Sequence, residues 1–410
     1  MKDRPIHILL IAPSAPPKSG PESMQVERFL RSLGAGVRVT LVTTPVVDGW
    51  EQFDGSLVLR KSKCTRIEVK LPLHSALTRL ISSRRLARLH VPDADFWIKY
   101  CVAYVLSRLS EKPDVIYSRS GSFSAALLAA RIKSKIGIPW VMHLSDPWTD
   151  SPFRGGSLRA KEVDQALEAN AFTCATRITL TTEGQAEFYR KKYPELAAKI
   201  QVTTNMMPVA RGTGGGRGGA SGLHLVHTGS LYGDRTPSFL LAAIELLNER
   251  NSQISGRVQM KFVGNMSDHF VALVNGTRNC TYLGQVRFDE AKEIQDSSDA
   301  LVSIEPKSTH PLHPHFLPSK VVDYLASGRP LLALTDHRSL TAKYCEAGYG
   351  IAVEPDDVAG IASAIESLCR SKELNAAFSL PPPPDELTAE RVTEGVVRSL
   401  VEVCAKDRPW

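Results

Sequence analysis

The sequence of 410 residues has no apolar run approaching the ~18 residues that a transmembrane helix requires, so none is expected. Its cysteines form no CxxC pair. There are seven, an odd number, scattered at 64, 101, 174, 280, 345, 369 and 404. This points to reduced thiols rather than a disulfide framework or a structural zinc site. Neither GxGxxG nor GxxxxGK[ST] occurs at the first strand-to-helix junction, which excludes the nicotinamide and P-loop readings there. The apolar stretch over residues 1–11 ends at Ala12-Pro13 without the length or cleavage context of a secretory signal. The expectation is a cytoplasmic protein. No aromatic-interleaved basic motif is found, so nucleic acid is not an expected partner. The net charge of +7 permits an anionic partner and selects none.

What is present is ordinary for a folded soluble chain: 43% hydrophobic and 23% charged residues. The length predicts two domains or one large one. Short apolar runs at 6–11, 37–43, 115–118, 140–144, 178–181 and 201–204 read as buried strands. Helical patterns such as 21–33 and 122–135 lie between them. The pattern restarts with strands at 223–228, 259–263, 281–283, 300–304, 331–334 and 351–353, with helices including 237–250 and 319–326. Alternation of this kind predicts α/β architecture: two Rossmann-like, doubly wound domains with parallel sheets, facing across a cleft. The expected division is 1–208, a Gly-rich linker at 209–222, then 223–380. A helical segment at 381–410 has the option of packing back on the N-terminal domain. Hinge closure at the linker is expected on ligand binding.

Ligands in such sheets bind beyond the carboxyl ends of the strands. After the strand at 223–228 comes Gly229-Ser230-Leu231-Tyr232-Gly233-Asp234-Arg235-Thr236-Pro237. Thr236 suits a helix N-cap and Pro237 the first helical position. A cation there opposes the helix dipole unless an anion is bound, so Arg235 marks a phosphate site, with a solvated or Asp234-paired arginine as the bland alternative. Pro318-Ser319-Lys320-Val321-Val322-Asp323 repeats the situation. Lys320 is a second cation near a helix start, and Asp323 suits a ribose diol. The alternative is a Lys320–Asp323 pair at i, i+3. Two such cations in one domain favour a diphosphate.

Weaker features lie in the first domain. Gly20 would let the loop after the first strand meet a phosphate. His143 and Asp146 stand at or beyond a strand end. Asp95 and Trp97 suit either the acceptor half or a helix entry. His310, His313 and His315 lack a convergent carboxylate or cysteine other than Glu305, so no metal is assigned. Residues 74–89 carry four arginines and no acid, which fits an anionic membrane surface or a solvated basic face equally.

Taken together, residues 228–235, Pro318-Ser319-Lys320 through Gly328-Arg329-Pro330, Asp146-Pro147-Trp148, Asn205, Pro208, 262–264 and 282–284 resemble the GT-B glycosyltransferases, most of all the retaining family-four group. The resemblance spans nearly the whole chain. It implies a nucleotide-diphospho-sugar donor, UDP-linked by default, held mainly by the C-terminal domain. The acceptor would be a hydroxyl, on a free or lipid-linked molecule in glycan or polysaccharide assembly. Arg235 and Lys320 would neutralise the departing diphosphate, and Asp323 would bind the ribose. Gly20, Gly229, Ser230 and Ser319 would line the donor, and His143 or Asp146 would contact the sugar or position the acceptor. No metal or other cofactor is implied. The work of the protein would be done in the cytoplasm, with the inner membrane face as an alternative. The family often has two glutamates separated by seven residues; here those positions hold His315 and Asp323. Either His315 or the main chain at Phe316 and Leu317 would take the sugar contact. A sugar-nucleotide epimerase of the same fold and a non-catalytic nucleotide-sugar-binding descendant remain as alternatives.

Overall fold

The computed structural model describes residues 4–46, 53–57, 64–70, 96–152, 154, 157–208, 222–250, 256–373 and 380–406. The basic stretch 74–89, Asp95, the Trp97 side chain and nearly all of the 209–222 linker lie outside the described residues. The chain divides into two compact units. Met1–Met206 joins with Ala389–Trp410, and Met207–Thr388 forms the other.

The first unit is built on a parallel sheet: β1 (Ile6–Ile11), β2 (Val37–Thr43), β3 (Thr65–Glu68), β4 (Val115–Ser120), β5 (Trp140–Leu144), β6 (Arg177–Leu180) and β7 (Ile200–Val202). Its order is β3-β2-β1-β4-β5-β6-β7. Both faces are covered, which is why the inner strands are apolar almost throughout. Leu9 and Ile11 pack on one side with Leu128 and Phe172. Ile8 and Leu10 pack on the other with Phe29 and the terminal helix Ala389–Lys406. That helix presents Val392, Val396, Leu400 and Val403 to the sheet at spacings of three and four. Arg177 on β6 holds it by hydrogen bonds to Ser399 O (3.2 Å) and Oγ (2.7 Å).

The second unit repeats the plan with β8 (Leu223–Thr228), β9 (Val258–Val263), β10 (Cys280–Tyr282), β11 (Ala300–Ile304), β12 (Leu331–Leu334) and β13 (Gly350–Val353), in the order β10-β9-β8-β11-β12-β13. All its strand pairs are parallel as well. In each unit the strand order reverses once, between β1 and β4 and between β8 and β11. These are the switch points at which open α/β sheets receive ligands.

Two expected boundaries shift for visible reasons. The strand read at 178–181 ends at Leu180, because Thr182 turns away to cap the helix Glu183–Lys192 through the Gln185 amide (3.3 Å). The terminal helix begins at Ala389 rather than near 385. Asp385–Leu387 makes one 3-10 turn, and Thr388 is held extended by a bridge to Met207.

Candidate functional site

The second unit's switch point gathers the main cluster. β8 ends at Thr228, whose main chain is fixed from both sides by Tyr324: the Thr228 amide donates to the phenol oxygen (2.8 Å) and the phenol donates to the Thr228 carbonyl (3.0 Å). Gln295 Nε2 donates to Thr228 Oγ1 (2.7 Å). The next residue, Gly229, has φ +121°, and a Cβ there would stand 3.2 Å from both Cε and Nζ of Lys320. The missing side chain therefore makes room for the lysine, in a backbone conformation that L residues rarely adopt.

Lys320 lies in the first turn of the helix Ser319–Leu325. Part of its stem is exposed, but Nζ is closed to solvent and has no hydrogen-bond partner among the described residues. The Lys320–Asp323 pair that the i, i+3 spacing allowed is therefore not formed. Burial, then the Arg235 guanidinium, pushes Lys320 down to about 7, against the pull of Glu305. Arg235 is half-buried. It donates from Nη1 to Tyr232 Oη (2.8 Å) and stacks its guanidinium 4.9 Å from that ring's centre. Thr236 Oγ1 accepts from the Ser238 amide (3.2 Å) at the start of the helix Ser238–Arg250, so Arg235 stands just ahead of that helix.

Glu305, the residue after β11, completes the cluster. It accepts from the hydroxyls of Thr341 (2.6 Å), Thr335 (2.8 Å) and Ser303 (3.3 Å). Burial pushes its carboxyl up despite these donors, with Arg235 and Lys320 pulling it down. In the sequence Glu305 stands out only as the carboxylate nearest the histidine loop, not as a partner of the two basic residues. The signal was available: an acid directly after a five-residue apolar strand. His227, buried within β8, donates from Nδ1 to the Val302 carbonyl (2.9 Å). Burial and Lys320 hold it well below the ordinary histidine range, so it is neutral.

The other expected donor residues of this unit take varied places. Asp323 is buried one turn beyond Lys320. Ser230 and His315 are exposed, Phe316 and Ser319 are half-buried, and Leu317 packs into the core with Val321 and Val322. His310 and His313 lie with ring centres 5.8 Å apart. The one described group with metal-ligand geometry is elsewhere: Asp336, His337 and Glu354, whose ligand atoms lie within 4.8 Å of one another. Arg338 already holds Asp336 through a 2.7 Å ion pair, and Glu354 already accepts from His337.

Gly20, His143 and Asp146 belong to the first unit. Gly20 precedes the helix Pro21–Ser32 with φ +149°, and nothing lies within 4 Å of where its Cβ would be. His143 stands next to last in β5, as its place near a strand end implied, but it is 1% exposed, with Nδ1 3.0 Å from Thr179 Oγ1. Burial and Arg119 lower it far below the ordinary value. Asp146 is exposed on the bend after β5. The residues behind it are pinned: the Trp148 amide donates to Tyr189 Oη (2.7 Å), Trp148 Nε1 to Asp164 (2.9 Å) and the Thr149 amide to Glu168 (2.8 Å). At this unit's switch point a buried pair that sequence reasoning did not find, Arg119 Nε to Glu22 Oε1 (2.6 Å), is joined by Ser145 Oγ on Glu22 Oε2 (2.5 Å).

Two Rossmann-like units, each with polar groups gathered at its switch point, define the class. Residues 23–205 match the family described as glycosyl transferase 4-like domain, and residues 222–371 match glycosyl transferases group 1. No curated protein matches the chain. Solved structures similar to it include an Escherichia coli trehalose-6-phosphate protein bound with UDP-2-fluoro glucose (13% identity, 96% of this chain and 98% of that one, TM-score 0.65). Another is an α,α-trehalose-phosphate synthase (UDP-forming) from Burkholderia xenovorans in complex with glucose-6-phosphate (12%, 97% and 100%, TM-score 0.64). A third is a putative UDP-N-acetylglucosamine 2-epimerase from Listeria monocytogenes (13%, 97% and 97%, TM-score 0.57). The two family matches together take in most of the chain, which carries a glycosyl transferase 4-like domain followed by a glycosyl transferases group 1 domain and has the GT-B fold.

Proposed function

We propose that this glycosyltransferase moves a sugar from a nucleoside-diphospho-sugar, with UDP favoured, to a hydroxyl acceptor with retention of anomeric configuration. The observation that carries the donor reading is the placement beside Arg235 of a lysine nitrogen, Lys320 Nζ, that has no hydrogen-bond partner among the described residues, at the β8/β11 switch point. Two basic groups near each other, one of them closed to water, form a site for a group with at least two negative charges. Their attraction for the diphosphate grows as the glycosidic bond breaks and charge collects on the leaving oxygen. Asp323 is the ribose-binding group in this reading, and the Gly20 loop offers main-chain N–H groups to the phosphates. His143 is enclosed in its sheet, so Asp146, exposed on a pinned bend, is the first-unit residue proposed to meet sugar or acceptor. The chemistry needs no resident metal, because the two cations take that role. UDP is favoured because two of the similar structures carry UDP in their descriptions as ligand or product, and one of them is in complex with a sugar phosphate. A lipid-linked acceptor, with peripheral membrane contact, extends the same reading.

A thermal-shift screen of UDP, GDP, ADP and dTDP with their common sugars tests it, since a ligand bound only by the folded state raises the melting temperature. One nucleoside diphosphate standing out is the expected result. No shift from any of them, with the protein folded, refutes the donor site. A second reading, nucleotide-sugar epimerisation, draws on Glu305, an acid beside the two cations. Isomerised free nucleotide sugar in the absence of acceptor would favour it.

A further inference from the structure

Without its ligand, Lys320 is poorly placed to be an ammonium. Nζ is closed to solvent and meets no hydrogen-bond acceptor among the described residues. The carboxylate that acts on it, Glu305, is engaged by three hydroxyls instead. The charged and titratable groups around it can be named element by element. Arg235 faces it from the loop after β8 and Glu305 from the end of β11; His227 on β8 is neutral; Asp323 lies one turn on along its own helix. A second positive charge beside Arg235, with water excluded, is costly until an anion arrives.

We propose that the site takes up its diphosphate together with one proton from solvent, which is retained on Lys320 Nζ. This deepens the donor reading above and rests on it. The free amine becomes an ammonium only when phosphate oxygens replace the missing acceptors. The cation that balances the leaving group is thereby assembled by substrate binding. Burial and Arg235, which hold the free lysine at about 7, act in the same direction. Bound phosphate reverses the preference by placing opposite charge beside the nitrogen.

The test is titration calorimetry at about pH 8, where UDP has no half-titrated group of its own, in two buffers with different heats of protonation. The difference in heat counts the protons taken up. The wild type is expected to take up about 0.9 proton per site, as a lysine near 7 requires at that pH. Its affinity should fall toward tenfold per pH unit above that point. Lys320→Arg, charged throughout, is expected to bind with no uptake and a flat pH profile. Lys320→Met, a neutral stem of similar length, should also show no uptake, with weaker binding, and serves if the arginine variant does not fold. If GDP, ADP or dTDP is the one that binds, the same titration uses it. Binding by the wild type without proton uptake overturns the proposal while leaving the donor site standing. Unchanged uptake in the Lys320 variants also overturns it, because the proton then resides elsewhere. No binding of any of the four diphosphates by the folded protein defeats the donor reading, and the proton proposal with it.

Discussion

The cost of holding Lys320 ready for a ligand should be measurable in the ligand-free protein. Replacing it with methionine keeps an unbranched stem against Gly229 and removes the ammonium. In the folded state the lysine titrates at about 7 rather than at the ordinary 10.5. Between those values the unfolded chain binds more protons than the folded one, so wild-type stability rises with pH across that window. Below it the cost of the buried charge is fully present; above it the cost is gone. At about 1.4 kcal/mol per unit, the full shift corresponds to roughly 5 kcal/mol. Relaxation and water entry around the charge leave on the order of 2–3 kcal/mol. For a unit of this size that is a rise of roughly 5–10 °C in melting temperature. Lys320→Met is therefore expected to melt above the wild type at about pH 6, by a margin that narrows toward about pH 9. Thermal and urea melts at several pH values measure it, with the second unit followed separately if the transitions split. A variant that melts at or below the wild type at about pH 6, or a gap that stays constant with pH, refutes the reasoning.

Two further substitutions, one in each unit, have defined outcomes. Arg235→Ala should lower donor turnover by about 10²–10³, as loss of a partner to developing charge does, with little change in melting because Arg235 is half-buried and bonded to an exposed tyrosine. Donor hydrolysis or transfer, assayed beside a melting curve, checks both halves. Glu168→Ala should destabilise the first unit by about 3–5 kcal/mol, the usual loss when one partner of a buried charged network is removed. Glu168 accepts from Thr149, Tyr189 and Tyr193 and pairs with Lys192 (2.5 Å), and urea denaturation gives the difference.

How far the sequence discloses this molecule depends on the kind of contact involved. Strands buried on both faces, such as Ile6–Ile11 and Ala300–Ile304, are apolar but for one residue each, His7 and Ser303, and are readable directly. β3 is not, because in Thr65–Glu68 only Ile67 is buried. At an edge with one buried side chain, four residues carry no periodic signal. Arg235 and Lys320 are legible because each sits beside a helix start, a local and electrostatically odd position. Glu305 would have needed the same attention to strand ends without the bias toward cations. His143 stands near a strand end, but the pleat turns its side chain onto one face of the sheet, and what covers that face is not written in the local sequence. Here Thr179 and Tyr117 enclose it. The Glu22–Arg119 pair joins residues 97 apart, and no spacing rule reaches that distance.

The placement of the terminal helix makes the second unit an insertion within the first. The chain leaves the first unit at Met206 and re-enters it at Ala389. Residues 389–406 therefore complete, beside the helix Pro21–Ser32, the cover on one face of a sheet whose first strand is made almost four hundred residues earlier. During synthesis the outer apolar side of the helix Pro21–Ser32 and the same face of β4 and β5 must wait, uncovered, until the whole second unit has been made. A nonsense codon or proteolytic nick just after residue 380 would thus expose the oldest part of the chain rather than the newest. The second unit would keep its sheet in such a product, while the first unit would carry the damage and become the handle for chaperones and proteases.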